Sequence, residues 1–212
     1  MNTIIANPMF SSIVVLIVGS VIWLGLADGD LKEKKALLSI FMDIVFYFVI
    51  LLFGFNAVLN LGEIIDVPYR VLLFSSNIVW LATLAVGIYG GIKYGRQLWE
   101  QPNRTKSVSI LLLVIGLVNH LQVYFLYSSP YSLRFIGLFA VTLLLISFTR
   151  IFSKINPLLV FLAFGLLHAL LMGSRAIIYF NFTFSALPLA ALFVALTGLL
   201  YYQRRTSLSE PN

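Results

Sequence analysis

His120 and His168 are the only two histidines of the chain. Both sit in apolar runs, "LVNHLQVYF" and "LLHALLMGSR", where an ionisable side chain is costly and marks a candidate functional position. His120 lies 13 residues past Ser107, and His168 lies 11 past Pro157. At the helical rise of about 1.5 Å per residue both imidazoles are expected roughly 16–20 Å from the same edge of a bilayer. Asn119, Gln122 and Tyr124 surround the first. Met172, Arg175 and Tyr179 follow the second at helical offsets. Asn77 and Arg134 open two further apolar runs from the same side, and Asp43 is the one acid well inside a run.

Three chemistries fit this set. A polar cavity in the outer half, lined by His120, His168, Arg175, Arg134, Asn77, Asn119, Gln122, Tyr124 and Asp43, suits a small anionic or amphipathic solute. Arg supplies forked donors for carboxylate or phosphate, and Tyr covers an apolar body. Two imidazoles on neighbouring helices are also ordinary axial ligands of haem b. In the third, His, Asn and Gln simply bond helix to helix while Arg reaches back to the interface. An enzyme acting on lipid or quinone, with His as base, or a non-catalytic subunit of a membrane complex, are further alternatives.

The elements that must position these residues are written in the composition. Sixty per cent of the 212 residues are hydrophobic and 10% charged, with a mean hydropathy of +0.99. That is far from the composition of soluble domains. The apolar runs fall at about 9–27, 36–60, 70–95, 107–127, 131–149, 157–177 and 181–203. Each is near the roughly 20 residues that cross a bilayer. The sequence therefore predicts an all-α membrane protein, one domain over residues 1–212, with seven transmembrane helices.

The basic residues set the orientation. Lys32, Lys34, Lys35, Lys93, Arg96, Arg104, Lys106, Arg150, Lys154, Arg204 and Arg205 fall on one side, and Arg70, Arg134 and Arg175 on the other. The positive-inside rule then places the N-terminus outside and the C-terminus in the cytoplasm. Scattered in this way, the net charge of +6 reports topology and not nucleic-acid binding. "MNTIIANP" has no basic n-region, so the first run is expected to be a retained helix and not a signal peptide. Compactness and short loops point to a bacterial cytoplasmic membrane.

The chain has no cysteine, which excludes disulfides, thiol catalysis and thiolate-bound metals. No metal-site spacing, nucleophilic Ser motif or phosphate loop occurs. All six lysines lie in loops or at helix ends, so a retinal Schiff base in the last span is excluded. Beyond the bilayer and a small-molecule ligand, the one feature that hints at a partner is Gly87, Gly91 and Gly95. Small residues four apart allow close helix packing, within the chain or against a second copy or larger complex. Pro188 is expected to kink the last span.

Overall fold

The computed structural model describes residues 8–100, 102–148, 157–180 and 182–209. Its helices are α1 (Pro8–Leu26), α2 (Leu31–Leu59), the short α3 (Leu61–Asp66), α4 (Ser76–Glu100), α5 (Pro102–Tyr127), α6 (Ser132–Phe148), α7 (Pro157–Met172) and α8 (Ala186–Ser209). A 3-10 turn, Pro68–Leu72, follows α3, and two short strands, β1 (Ile177–Tyr179) and β2 (Phe182–Phe184), lie between α7 and α8. The chain is thus predominantly helical. Three segments, Leu31–Leu59, Ser76–Gly95 and Arg104–Tyr127, are long and apolar enough to cross a membrane. Ser11–Leu26, Ser132–Ser147, Leu159–Met172 and Ala186–Leu199 are shorter apolar helices. These lengths and compositions are those of a membrane protein.

The helix ends have local causes. Asp30 caps α2 by accepting a 2.7 Å bond from the Glu33 amide, so the charged "KEKK" stretch joins the helix instead of forming a loop. Pro102 opens α5, a position where its missing N–H costs nothing. α4 runs on to Glu100, which leaves one residue between these two helices. Pro188 also lies in a first turn, because α8 begins at Ala186. Its absent amide would have had no intrahelical partner there, so the kink expected from the sequence has no cause. The basic pair Arg150 and Lys154 lies outside the described residues, as does Asn181.

Helices α4, α5, α6, α7 and α8 touch in that order, and α8 returns to α4, forming a five-helix ring. α1 lies against α5 and α2 against α4, outside the ring. Burial follows this arrangement. Half of the apolar window of α5 is buried, against 11% for α2. Ile13, Ile17 and Val21 on α1 are exposed, as lipid-facing side chains would be. Trp23, Leu111 and Phe135 are fully enclosed.

Close seams hold the ring together. A methyl group on Gly19 of α1 would lie 3.1 Å from the Ile115 Cα of α5. At Gly116 it would lie 2.2 Å from Cε1 of Phe139 on α6, and at Gly165 of α7 it would lie 2.2 Å from Cγ of Phe193 on α8. Gly87 and Gly91 face Leu192, Leu196 and Leu199 of α8. Two of the three small residues of that face, Gly87 and Gly91, thus serve packing within the chain.

One end is tied by polar contacts. The Trp23 indole donates to the Ser107 carbonyl at 2.8 Å, Lys34 donates to the Leu24 carbonyl at the end of α1, and Lys106 pairs with Asp28 at 2.8 Å. That hydrogen bond and the Lys106 charge hold the Asp28 carboxyl below its ordinary range. At the other end buried Asn56 donates to the Arg70 and Val71 carbonyls and accepts from Asn60, closing the elbow between α2 and α4. Exposed Glu63 pairs there with Arg70.

Packing at Gly116 is directly testable. Gly116→Ala is expected to cost about 2 kcal/mol or more, because a filled seam must open. Gly137→Ala on α6, where nothing lies within 4 Å of the added methyl, is expected to be neutral or to stabilise by up to about 1 kcal/mol. Thermal midpoints of the two purified variants in detergent decide the matter; equal midpoints would contradict the seam.

Candidate functional site

The two histidines do meet. His120 on α5 and His168 on α7 are each about 1% exposed and share three aromatic neighbours. Phe135 stacks on His120 with centroids 5.0 Å apart and lies 4.9 Å from His168. Phe139 is 5.4 Å from His120 and 6.0 Å from His168. Tyr179 is 4.9 Å from His120 and 5.7 Å from His168. The Tyr179 hydroxyl and His168 Nε2 form a hydrogen bond.

Tyr179 reaches His168 by a route that helical spacing does not give. Eleven helical residues would separate the two by about 16 Å. α7 instead ends at Met172. Gly173 takes φ 57°, a left-handed conformation that glycine adopts without strain, and the chain folds back as β1. β1 pairs antiparallel with β2, with Ile177 opposite Phe184, Ile178 opposite Thr183, and Tyr179 opposite Phe182. Between the strands Phe180 has φ 50°.

A lone hairpin has two unpaired edges, and an apolar bundle offers no water to satisfy them. Asn119 supplies what a third strand would. Its amide donates to the Ile178 carbonyl at 3.0 Å, and its carbonyl accepts from the Phe180 amide at 3.0 Å. On the other edge Ser76 donates to the Thr183 carbonyl at 3.4 Å. The side chains of β2 then pack into the ring wall: Phe182 against Phe48 and Phe74, and Phe184 against Trp80.

Beneath this hairpin two imidazole nitrogens, His120 Nε2 and His168 Nδ1, have no hydrogen-bond partner among the described residues. A neutral imidazole carries one donor and one acceptor nitrogen. Whichever way the bond to Tyr179 runs, Nδ1 of His168 is left with the opposite capacity. An unmet polar atom this deep costs about 1–3 kcal/mol, so the pair is held at a stability cost by the packing around it.

The other sequence-predicted residues fall elsewhere. Arg134 lies in the first turn of α6 and Arg175 in the turn before β1; both are exposed. They converge on Tyr131, with guanidinium carbons 5.6 and 5.2 Å from its ring centroid. Tyr131 is itself fixed, donating to the Leu171 and Met172 carbonyls at the end of α7 at 2.7 and 2.5 Å. Its ring touches Phe135 at 5.3 Å, which links the arginines to the histidines through two aromatic rings.

Gln122 and Tyr124 are half-buried on α5. Asn77 is exposed and lines a groove of about 600 Å³ between α4 and α8, with Trp80, Leu84 and Leu192. Asp43 belongs to a separate cluster on the α2–α4 seam. It accepts from Tyr94 at 2.7 Å and pairs with Lys93 at 3.5 Å. Lys93 also donates to Tyr89 and lies 4.9–5.7 Å from the rings of Tyr47, Tyr89 and Tyr94. The sequence offered no base at matching depth. One exists because α4 packs along α2, which sets Lys93, near the end of its apolar run, beside Asp43.

Two readings change accordingly. Among the described residues the nine fall in separate places: a packed His–Tyr–His core, an arginine pair on Tyr131, the α4–α8 groove and the Asp43–Lys93 seam. A porphyrin between the imidazoles would have to displace Phe135, Phe139 and Tyr179, so the bis-histidine haem site does not fit this packing. Tyr131 and the strand role of Tyr179 were the residues sequence reasoning missed. The run "IIYFNFTF", rich in β-branched and aromatic residues around a turn-forming Asn, was the available signal. No protein-family model, curated protein or solved structure matches the chain.

Asn119 carries a clear expectation. Asn119→Leu leaves two backbone groups unpaired and is expected to destabilise the protein by about 2–4 kcal/mol, with faster amide exchange at Phe180. Asn119→Asp keeps the acceptor for Phe180 and loses the donor to Ile178. Hydrogen-exchange mass spectrometry over 173–185 should rank protection as Asn, then Asp, then Leu. Equal protection would remove the clamp.

Proposed function

We propose that the chain is a single bundle of seven transmembrane helices, N-terminus outside and C-terminus in the cytoplasm, in a bacterial cytoplasmic membrane. In this reading it binds or carries a small anionic or amphipathic solute through its outer half. The segments supporting seven spans are the three long apolar helices and the four shorter ones. α7, at 16 residues, covers about 24 Å, short of the roughly 30 Å of hydrocarbon. The hairpin fills the missing depth between α7 and α8. The outer end of the ring is thus closed by a removable segment of backbone.

One observation supports the functional reading: two imidazole nitrogens without a partner among the described residues lie under that hairpin. Polar atoms left unmet in a closed state gain partners when a solute enters. The hairpin is held by few polar ties, chiefly Asn119, Ser76 and the Tyr179–His168 bond. Its displacement would uncover the Tyr179 side of the two histidines. The same nitrogens could accept a proton in an enzyme acting on lipid or quinone, which would show as turnover of the bound molecule instead of its release.

The cysteine-free chain makes the test clean. His120→Cys is expected to react from the outside with a membrane-impermeant methanethiosulfonate, at least tenfold more slowly than the exposed Thr183→Cys. Complete protection of a folded His120→Cys protein over hours would sink the reading. Orientation is checked separately: green fluorescent protein fused at the C-terminus should fluoresce, and alkaline phosphatase fused there should be inactive.

A further inference from the structure

We infer that Arg134, Arg175 and Tyr131 form a binding site for the oxyanion head, phosphate or carboxylate, of an amphipathic molecule at the outer interface. This deepens the solute-binding reading and rests on it for which side is outer. It does not depend on the hairpin opening.

Three features meet at this spot, and a bound anion offsets the first two and gives a reason for the third. First, both guanidinium carbons lie within 6 Å of one ring centroid, so they are no more than about 11 Å apart. Neither has a carboxylate partner among the described residues, whereas Arg70, the other outer arginine, is paired with Glu63. Two uncompensated like charges at that distance repel, most strongly where lipid lowers the dielectric.

Second, Arg134 occupies the first turn of α6. The helix dipole there favours negative charge, so this cation opposes its own helix. Third, the arginines lie on the side that the positive-inside rule keeps poor in basic residues. Within the chain these placements are met by the Tyr131 ring and by no carboxylate among the described residues. All of them serve a bound anion, for which forked guanidinium donors are the usual holders.

The site is also built on a rigid base. Tyr131 is pinned by two bonds to the last carbonyls of α7. Its ring therefore fixes the spacing between an arginine on α6 and one beyond α7. Leu133, adjacent in sequence to Arg134, and Leu170, in the turn of α7 whose end holds Tyr131, are exposed. That juxtaposition suits a head group with an apolar tail more than a free ion.

The test is the thermal midpoint of the full chain in dodecyl maltoside, titrated with dodecyl phosphate, with dodecanoate and with inorganic phosphate. Both amphipaths are expected to raise the midpoint, and inorganic phosphate to do so only at concentrations at least tenfold higher. Arg134→Gln and Arg175→Gln should each weaken the response tenfold or more, and Arg70→Gln should leave it within twofold. Should the Gln variants fail to fold, Arg134→Lys with Arg175→Lys keeps the charges, loses the fork, and should weaken dodecyl phosphate about fivefold.

Inorganic phosphate acting as strongly as dodecyl phosphate would overturn the amphipath assignment. No response to any anion, or an undiminished response in the arginine variants, would overturn the site. Anion binding with an unreactive His120→Cys would leave this inference standing and remove hairpin opening. The reverse pattern would remove only this inference.

Discussion

The arrangement depends on one constraint: a two-stranded hairpin set into one end of an apolar helix bundle must find partners for its outer backbone groups. Asn119 meets it from the middle of α5, pairing with Ile178 and Phe180 as a neighbouring strand would. That single side chain fixes much else. It requires α5 beside the hairpin in the ring, where it also touches α1, α4 and α6. It sets the depth of the hairpin, and so brings Tyr179 level with His120 and His168. Because His120 follows Asn119 directly, the residue that anchors the hairpin and the residue beneath it move as one.

Polarity divides the molecule into two unlike ends. At the end that holds Trp23, Asp28, Lys34 and Lys106, charged pairs and an indole hydrogen bond join α1, the α1–α2 loop and α5. At the hairpin end, neutral side chains bond to backbone, and Tyr131 and Asn119 each serve two main-chain groups. The Asp43–Lys93–tyrosine cluster belongs to neither. It joins α2 to α4 as a self-contained ion pair, which accounts for an acid inside an apolar run without assigning it to the histidines.

The helical, membrane-protein character is legible in the sequence, because long apolar runs of this composition leave few alternatives, and three of them form helices long enough to cross a bilayer. The expected runs at 107–127 and 131–149 differ from α5 and α6 mainly at their ends, where Pro102 and Ser132 start the helices. The site is less legible. Hydropathy treats "AIIYFNFTFSAL" as more of the same apolar material, since Ile, Tyr and Phe suit a strand or a span equally. Only the non-helical φ angles at Gly173 and Phe180 and the partner on α5 distinguish them, and both are tertiary facts. Helical counting placed Tyr179 and Arg175 on the His168 stripe. The hairpin reached one of those contacts by another path and sent Arg175 to Tyr131.

The attachment of α1 has a consequence in time. Its partner is not the adjacent α2 but α5, and Trp23 bonds to a carbonyl 84 residues further on. During synthesis α1 must wait in the bilayer until α5 arrives, with Trp23 and the Gly19 notch uncovered. Its all-round apolar surface lets it persist alone, and the shape of Gly19 against Ile115 lets it dock late. The five-helix ring in turn cannot close before α8 is made, since α8 is the helix that returns to α4.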